Sequence, residues 1–212
     1  MDLGIAARPK RGESLSGDAY FVGECDGTVF LAVIDGIGHG EHANSTANKA
    51  TLFLAKHLHL DLIAMIRGCH QELRGSRGAV IGLVSINKSG NVLSYAGIGN
   101  IEGRLIKEGS APAEERTCAT ACPSKDALNA GETKKVRHLI SMNGIVGCNL
   151  RKVTGFQHTC HTGDTIAMFS DGISSRIDLS EFLPADDLQK AAEKILDKHG
   201  KDDDATILLA RL

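Results

Sequence analysis

Short apolar stretches separated by turn residues recur along most of the chain and predict a strand-rich fold. Many of these stretches carry β-branched residues, and Gly, Asn or Asp separates one stretch from the next. Asp26-Gly27, for example, is a dipeptide typical of the turn in a β-hairpin. The predicted strands are residues 19–23, 28–34, 79–87, 92–98, 101–106, 136–141, 153–158, 165–170 and 206–212.

Three other stretches change to a helical period. Within residues 42–60, apolar side chains recur every three or four positions, which puts them on one face of a helix. Residues 62–73 and 187–198 show the same period and are followed by Gly75 and Gly200, as is common after the last turn of a helix. The chain therefore contains two blocks of helix among its strands.

Consecutive strands with two helix blocks predict an α/β sandwich with antiparallel sheets, in a single domain over residues 1–212. No internal repeat is evident. Residues 107–135 differ from the rest, because they are rich in Ala, Ser, Thr, Glu and Lys and show little periodicity. We interpret them as a surface loop or insertion.

Composition and charge exclude several classes of function. The 212 residues include 24 Lys and Arg against 26 Asp and Glu, a net charge of -2, whereas domains that bind nucleic acid are usually basic. No apolar run approaches the roughly 20 residues of a membrane-spanning helix, and no signal peptide is visible. The six scattered cysteines suit reduced thiols. We expect a cytoplasmic monomer that binds neither nucleic acid nor a membrane.

Acidic residues stand at the ends of several predicted strands. Asp35 and Asp171 each follow a strand and precede a glycine, Asp203 lies in an acidic triplet before the last strand, and Asp18 directly precedes the first. A turn explains any single Asp-Gly pair. Converging carboxylates, however, repel one another unless a cation neutralises them, and oxygen ligands favour Mg²⁺ or Mn²⁺. The set predicts a metal site.

These motifs, in this order, resemble those of the metal-dependent protein phosphatases of type 2C. The motifs are SGDA (16–19), VIDGIGHG (33–40), GDTIAMFSDG (163–172) and DDATI (203–207). The short length and the stretch NGIVGC (143–148) are most similar to the compact SpoIIE-like bacterial branch and its RsbX-type stressosome feedback phosphatases. The resemblance implies a four-layer αββα fold, an antiparallel β-sandwich flanked by helices on both sides.

The resemblance also implies roles for individual residues. Asp35 matches an aspartate that bridges two divalent ions, and Gly36 matches a glycine whose carbonyl oxygen helps to hold the second ion. Asp171 and Asp203 match ligands of the first ion. Asp18 matches an acidic residue that holds a metal-bound water. The implied cofactors are two Mn²⁺ or Mg²⁺ ions, and the implied nucleophile is a water that they activate.

Two positions depart from the family pattern. Gly17 stands where many members carry a Glu ligand of the second ion, so we expect that site to be weak. Ile37 stands where larger members have a His that protonates the leaving oxygen. His39, two residues away, either supplies an acid or packs the turn before the helix.

The sequence does not decide which residue binds phosphate or whether any residues bind zinc. Arg8, Lys10 and Arg11 precede Asp18, where family members supply a phosphate-binding Arg, but a solvated basic terminus explains them equally well. Residues that could hold zinc lack the spacing of structural zinc sites. They are Cys118, Cys122, His158, Cys160 and His161.

The resemblance implies a serine/threonine protein phosphatase that acts on phosphorylated STAS-domain scaffold or antagonist proteins and resets a stress signal. A pseudophosphatase that binds phosphoproteins is the alternative, because Gly17 and Ile37 both depart from the pattern. A phosphoesterase for small molecules is a third interpretation, which the 4% aromatic content disfavours for nucleotides.

Overall fold

The structure is a computed structural model that describes residues 1–87, 89, 91–108 and 136–212. The strands are β1 Asp2–Arg8, β2 Asp18–Cys25, β3 Thr28–Gly36, β4 Ala79–Asn87, β5 Val92–Ile98, β6 Glu102–Ile106, β7 Val136–Leu139, β8 Ser141–Met142, β9 Phe156–Thr159, β10 Thr165–Phe169 and β11 Ala205–Arg211. The helices are α1 Gly40–Lys56, α2 Leu62–Glu72 and α3 Leu188–His199. Residues 109–135, most of the predicted insertion, lie outside the described residues, together with Cys118 and Cys122.

The strands form two sheets. Sheet I has the order β1-β11-β10-β6-β7, and sheet II has the order β2-β3-β4-β5-β8, with β9 also paired to β5. All of these pairings are antiparallel except the short one between β5 and β8, where Gly97 and Ile98 face Ser141 and Met142. The prediction of antiparallel sheets is therefore confirmed for all the long strands.

Buried side chains show that the sheets and helices are stacked in four layers. One cluster joins both sheets face to face and includes Leu31, Val33, Val84, Leu105, Met168 and Leu208. A second cluster joins sheet II to α1 and α2 and includes Ile34, Ile81, Leu54, Met65 and Ile66. A third joins sheet I to α3 and includes Phe169, Ile207, Leu188, Ala192 and Ile195. The predicted four-layer αββα fold is confirmed.

Neighbouring residues of β3 show why the central strands are continuously apolar. Successive side chains of a strand point to opposite faces. Val33 accordingly packs between the two sheets, whereas Ile34 packs against α1 and α2. Both faces of β3 are buried, so the strand needs an apolar residue at almost every position until it reaches Asp35.

The sequence analysis missed β1, which pairs with β11 along its whole length from Asp2 to Arg8. Its buried positions are Gly4 and Ala6, so it carries no conspicuous apolar stripe. A side chain at Gly4 would collide with the carbonyl oxygen of Leu188 in α3, which requires a glycine there. The small residues that allow α3 to approach β1 also leave no hydrophobic pattern by which the strand could be predicted.

Other differences concern the ends of elements. Helix α1 ends at Lys56 and not near residue 60, and its C-cap is His57. The predicted strand 136–141 is divided at the exposed Ile140, because β7 pairs in sheet I and β8 in sheet II. Among the described residues, no helix has the length and apolar character needed to span a membrane.

Candidate active site

The predicted acidic residues meet at one edge of the sandwich. Asp18 at the start of β2 is the register partner of Asp35 near the end of β3. Asp171 follows β10 and Asp203 precedes β11, and these two strands are neighbours in sheet I. Because the sheets are stacked, the strand ends border one cleft of about 240 Å³. It is lined by Lys10, Asp35, Ile37, Gly38, His39, Asn100, Asp171, Asp203 and Asp204.

The two glycines that follow Asp35 and Asp171 are required by close packing. A side chain at Gly36 would collide with the backbone of α1 at Ala43, and one at Gly172 would collide with the backbone of Asp204. The N–H of Gly36 also donates to the carbonyl oxygen of Gly17, at 3.0 Å. These contacts bring the segments that carry the carboxylates together.

Asp18 is the most enclosed of the predicted site carboxylates. Its side chain is buried, and Ser170 Oγ donates to its Oδ2 at 2.5 Å. Its other oxygen, Oδ1, has no hydrogen-bond partner among the described residues. Burial raises the pKa of Asp18 to about 7, although the hydrogen bond from Ser170 acts in the opposite direction.

Asp35 lies at the electrostatic centre of the cleft. Burial raises its pKa to about 8, and the charges of Asp18, Asp171, Asp203 and Asp204 raise it further in the same direction. Carboxylates crowded in this way favour a proton or a cation between them. The arrangement therefore has the electrostatics of a cation site.

The remaining carboxylates are held by neighbours from distant parts of the chain. Asn100 Nδ2 donates to Asp171 Oδ2 at 2.7 Å, and Lys201 Nζ donates to the carbonyl oxygen of Asp171 at 2.5 Å. Asp203 is exposed, with Lys10 Nζ at 4.0 Å. These contacts fix both carboxylates at the mouth of the cleft.

Comparison with curated proteins shows one relative of known activity. The chain is 29% identical over 92 residues to phosphoserine phosphatase RsbX of Bacillus subtilis (strain 168). The alignment covers 43% of this chain and 46% of RsbX, so the chain spans about half the length of the curated relative it matches. No family model matches the chain.

Solved structures extend the likeness to the whole chain. A chain reported for the bacterial stressosome, a modular system that has been adapted to control secondary messenger signaling, is 27% identical with a TM-score of 0.83. That match covers 99% of this chain and 98% of the other. RsbX in complex with magnesium is 20% identical with a TM-score of 0.77, over 98% of this chain and 93% of that one.

The phosphatase domain of SpoIIE from Bacillus subtilis, named a PP2C domain, is also similar. It was solved with a fragment of its regulatory domain and is 20% identical with a TM-score of 0.74, over 99% of this chain and 62% of that one. The chain has the type 2C phosphatase fold. Together with the homology to RsbX, this confirms the resemblance to the RsbX branch.

The donor chemistry of this type 2C cleft fits a divalent metal ion. The candidate ligands are the carboxylates of Asp35, Asp171 and Asp203 and the carbonyl oxygen of Gly36, and hard oxygen donors suit Mg²⁺ and Mn²⁺. Asp18 Oδ1 and Asp204 Oδ2 are buried without a hydrogen-bond partner among the described residues. As they stand, no three described His, Cys, Asp or Glu side chains are close enough together to bind one ion.

The departures from the family pattern have clear structural settings. Gly17 lies beside Asp204, and a Cβ atom at this position would lie 2.8 Å from Asp204 Oδ2. Ile37 packs against the core between the sheets. His39 lines the cleft, but its Nδ1 is hydrogen-bonded to Glu13 Oε1 at 2.7 Å on the exposed side of the molecule.

Among the basic candidates, Lys10 is the residue that lines the cleft. Arg8 instead donates from Nη2 to the carbonyl oxygen of Lys201 at 2.9 Å, and Arg11 lines a neighbouring groove that shares Asp203 with the cleft. Of the zinc candidates, Cys160 is buried between the sheets. The four described cysteines, Cys25, Cys69, Cys148 and Cys160, are unpaired.

Sequence reasoning missed the residues that support the carboxylates. Asn100 and Lys201 carry no motif, and only the fold brings them beside Asp171. Ser170 lies inside the motif GDTIAMFSDG (163–172), which is the signal that could have identified it. A serine between a strand and an Asp-Gly pair can donate a hydrogen bond at the site. Asp204 belongs to the motif DDATI (203–207), but the resemblance assigns it no role of its own.

Proposed function

We propose that this protein is a metal-dependent serine/threonine protein phosphatase. The observation that carries the proposal is the cleft around Asp35, where burial and four neighbouring carboxylates raise the pKa of its side chain to about 8. A carboxylate in such a place favours a bound cation, and divalent cations catalyse the hydrolysis of phosphate esters. The type 2C fold and the homology to the phosphoserine phosphatase RsbX support the same activity.

The residues of the cleft have separate parts in this proposal. Asp35, Gly36, Asp171 and Asp203 would hold the divalent ions. When bound, such ions supply Lewis-acid chemistry that lowers the pKa of water and offsets the charge of phosphoryl oxygens. Asp18, fixed through Oδ2 by Ser170, offers its free Oδ1 as a hydrogen-bond acceptor for water in the cleft.

The basic and polar neighbours complete the proposed mechanism. The Lys10 side chain provides a positive charge at the wall of the cleft, where it can approach a phosphoryl oxygen of the substrate. Asn100 holds the Asp171 carboxylate in one orientation. Water would be the nucleophile in this mechanism, so no serine or cysteine nucleophile would be required.

We propose phosphorylated STAS-domain signalling proteins as substrates, with a role in resetting a stress signal in the cytoplasm. Similarity to RsbX and to a chain reported for the bacterial stressosome supports this choice. None of the described residues that line the cleft is Phe, Tyr or Trp, so the cleft offers no surface on which a nucleobase would stack. That observation favours a phosphoprotein over a nucleotide.

A pseudophosphatase that binds phosphoproteins without hydrolysis is the second candidate. The observations that favour it are the absence of a side chain at Gly17 and the apolar Ile37, which packs into the core and supplies no acid. Calorimetric binding of a phosphoprotein, without phosphate release in saturating Mn²⁺, would identify this alternative.

The test is phosphate release from a phosphorylated STAS-domain protein, titrated with Mn²⁺ and with Mg²⁺. We expect metal-dependent release that Asp171→Asn abolishes and that Asp202→Asn, an exposed change on the acidic loop, leaves intact. An aryl phosphate in the same assay separates a wrong protein substrate from an inactive site. No release from either compound by folded protein, at any metal concentration, would rule out the phosphatase.

A further inference from the structure

Asp204 is a buried carboxylate that neither the motif roles nor the fold accounts for. Only 5% of the residue is exposed, and it lies at the cleft beside Asp203, the predicted ligand. Its Oδ1 accepts a hydrogen bond from the main-chain N–H of Lys10 at 2.8 Å. Its Oδ2 has no hydrogen-bond partner in the part of the chain that the structure describes.

A buried carboxylate oxygen without a partner is unfavourable, so a native site that keeps one needs a reason. No Lys, Arg or His among the described residues forms an ion pair with Asp204. It lines the same cleft as Asp35, and its Oδ2 lies beside Gly17, the residue that directly precedes Asp18. Asp204 therefore adds a negative charge to the acidic cleft, and no ion pair among the described residues neutralises it.

The direction of Oδ2 follows from its neighbour Gly17. A Cβ atom at position 17 would lie 2.8 Å from Asp204 Oδ2 and 2.9 Å from the Cβ of Ala43. Any side chain at Gly17 would thus displace the carboxylate of Asp204. The glycine leaves the space that Oδ2 occupies, and it directly precedes Asp18, whose Oδ1 likewise has no hydrogen-bond partner among the described residues.

We propose that Asp204 is a further metal ligand, which binds a divalent cation through Oδ2 on the side of the cleft formed by Asp18 and Asp35. Gly17 provides the room for this carboxylate, and the N–H of Lys10 fixes its other oxygen. The inference rests on the proposed function in one respect, namely that the cleft binds divalent cations. It adds a ligand to Asp35, Gly36, Asp171 and Asp203.

The test is the binding of Mn²⁺ to metal-free protein, followed by the electron paramagnetic resonance signal of free Mn²⁺ and by calorimetry. In Asp204→Asn the side chain keeps its shape and an oxygen that can accept from Lys10. A merely structural role of Asp204 would leave Mn²⁺ binding unchanged in this variant. We expect one Mn²⁺ ion to bind at least about tenfold more weakly.

Two further variants sharpen the result. Gly17→Ala keeps every charge but intrudes on Asp204 Oδ2, so we expect the same Mn²⁺ site to weaken. Asp202→Asn removes an exposed carboxylate from the same loop and should bind Mn²⁺ as the parent protein does. Circular dichroism establishes that each variant is folded before the titration.

The outcomes separate the inference from the proposed function. If Asp35→Asn loses Mn²⁺ while Asp204→Asn binds as many ions as the parent protein with equal affinity, Asp204 is not a ligand and the phosphatase proposal stands. If the parent protein binds no Mn²⁺ at all, both proposals fail. Selective weakening in Asp204→Asn and in Gly17→Ala, with Asp202→Asn unchanged, supports the inference.

Discussion

Asp18 and Asp35 are direct register partners across β2 and β3, so two carboxylates lie opposite each other at the end of this strand pair. Like charges directly opposite one another destabilise a sheet. Burial is the main reason that the pKa of Asp18 is raised to about 7 and that of Asp35 to about 8, and the charge of Asp18 adds to the rise at Asp35. This pair makes the stability of the metal-free protein dependent on pH.

In metal-free protein we expect the free energy of unfolding to fall as the pH rises. Both aspartates have a higher pKa in the folded state than the ordinary value of 3.8, so the folded state binds more protons than the unfolded state from about pH 4 to about pH 8. The stabilising protons are lost as the pH rises through about 7 and 8. Urea denaturation in the presence of a chelator, at several pH values, measures the effect.

The matched control for this pH dependence is Asp35→Asn, which removes the more strongly perturbed carboxyl group. Its unfolding free energy should change less steeply over the same pH range, and saturating Mn²⁺ should flatten the profile of the parent protein. A metal-free parent protein that becomes more stable as the pH rises toward 8 would contradict the electrostatic picture of the cleft.

Replacing Asp35 by Asn should abolish phosphatase activity while the protein stays folded. The substitution preserves the shape of the side chain but removes the charge at the centre of the acidic cleft, so we expect a loss of at least about a hundredfold in kcat. Phosphate release and circular dichroism measure the two quantities separately. Retained activity in a folded Asp35→Asn protein would exclude the assigned site.

Ser170→Ala should destabilise the protein and lower its activity. The fully buried Ser170 hydroxyl donates to Asp18 Oδ2 and accepts from the N–H of Thr206 at 3.0 Å, so its loss leaves two buried groups unsatisfied. We expect about 1–3 kcal/mol less stability in urea denaturation. The exposed Ser175→Ala is the control, and equal stabilities of the two variants would contradict the role of Ser170.

Lys10 and Arg11 allow a paired test of which basic residue meets the phosphate. Lys10 lines the cleft and Arg11 lines another groove. We expect Lys10→Ala to lower kcat/KM for a phosphoprotein about tenfold, because a charge-assisted contact with the phosphate is lost, and Arg11→Ala to have little effect. Steady-state kinetics measure both variants, and the reverse ranking would assign the phosphate to Arg11.

Particular residues show how far the sequence predicts this site. Asp35 and Asp171 could be identified because each ends a strand recognisable by its apolar pattern and precedes a glycine. Their supporting residues could not, since Asn100 reaches Asp171 only after β5 and β10 have entered different sheets of the sandwich. The pattern of apolar and polar residues along a strand indicates which of its faces is buried. It does not indicate which loop from a distant part of the sequence lies beside the end of the strand.

The same limit applies to the fold. The long strands and helices were predicted because their apolar periods are strong. β1 was missed because Gly4 and Ala6 are small, for the close approach of α3, and so leave almost no hydrophobic signal. The opposite case is His39, where the sequence suggested more than the structure shows. Its position in the motif suggested an acid for the leaving oxygen, whereas in the structure its side chain contacts Glu13.

The pairing of β1 with β11 has a consequence for the synthesis of the protein. Sheet II is built largely from strands adjacent in sequence, whereas β11 lies in sheet I between β1 and β10. β1 is therefore synthesised well before β11, the strand with which it pairs, and must wait for it. The hydrogen bond from Lys10 to Asp204 likewise joins residues that are 194 positions apart. During translation, sheet II can form early, but the acidic cleft can assemble only after β11 has left the ribosome.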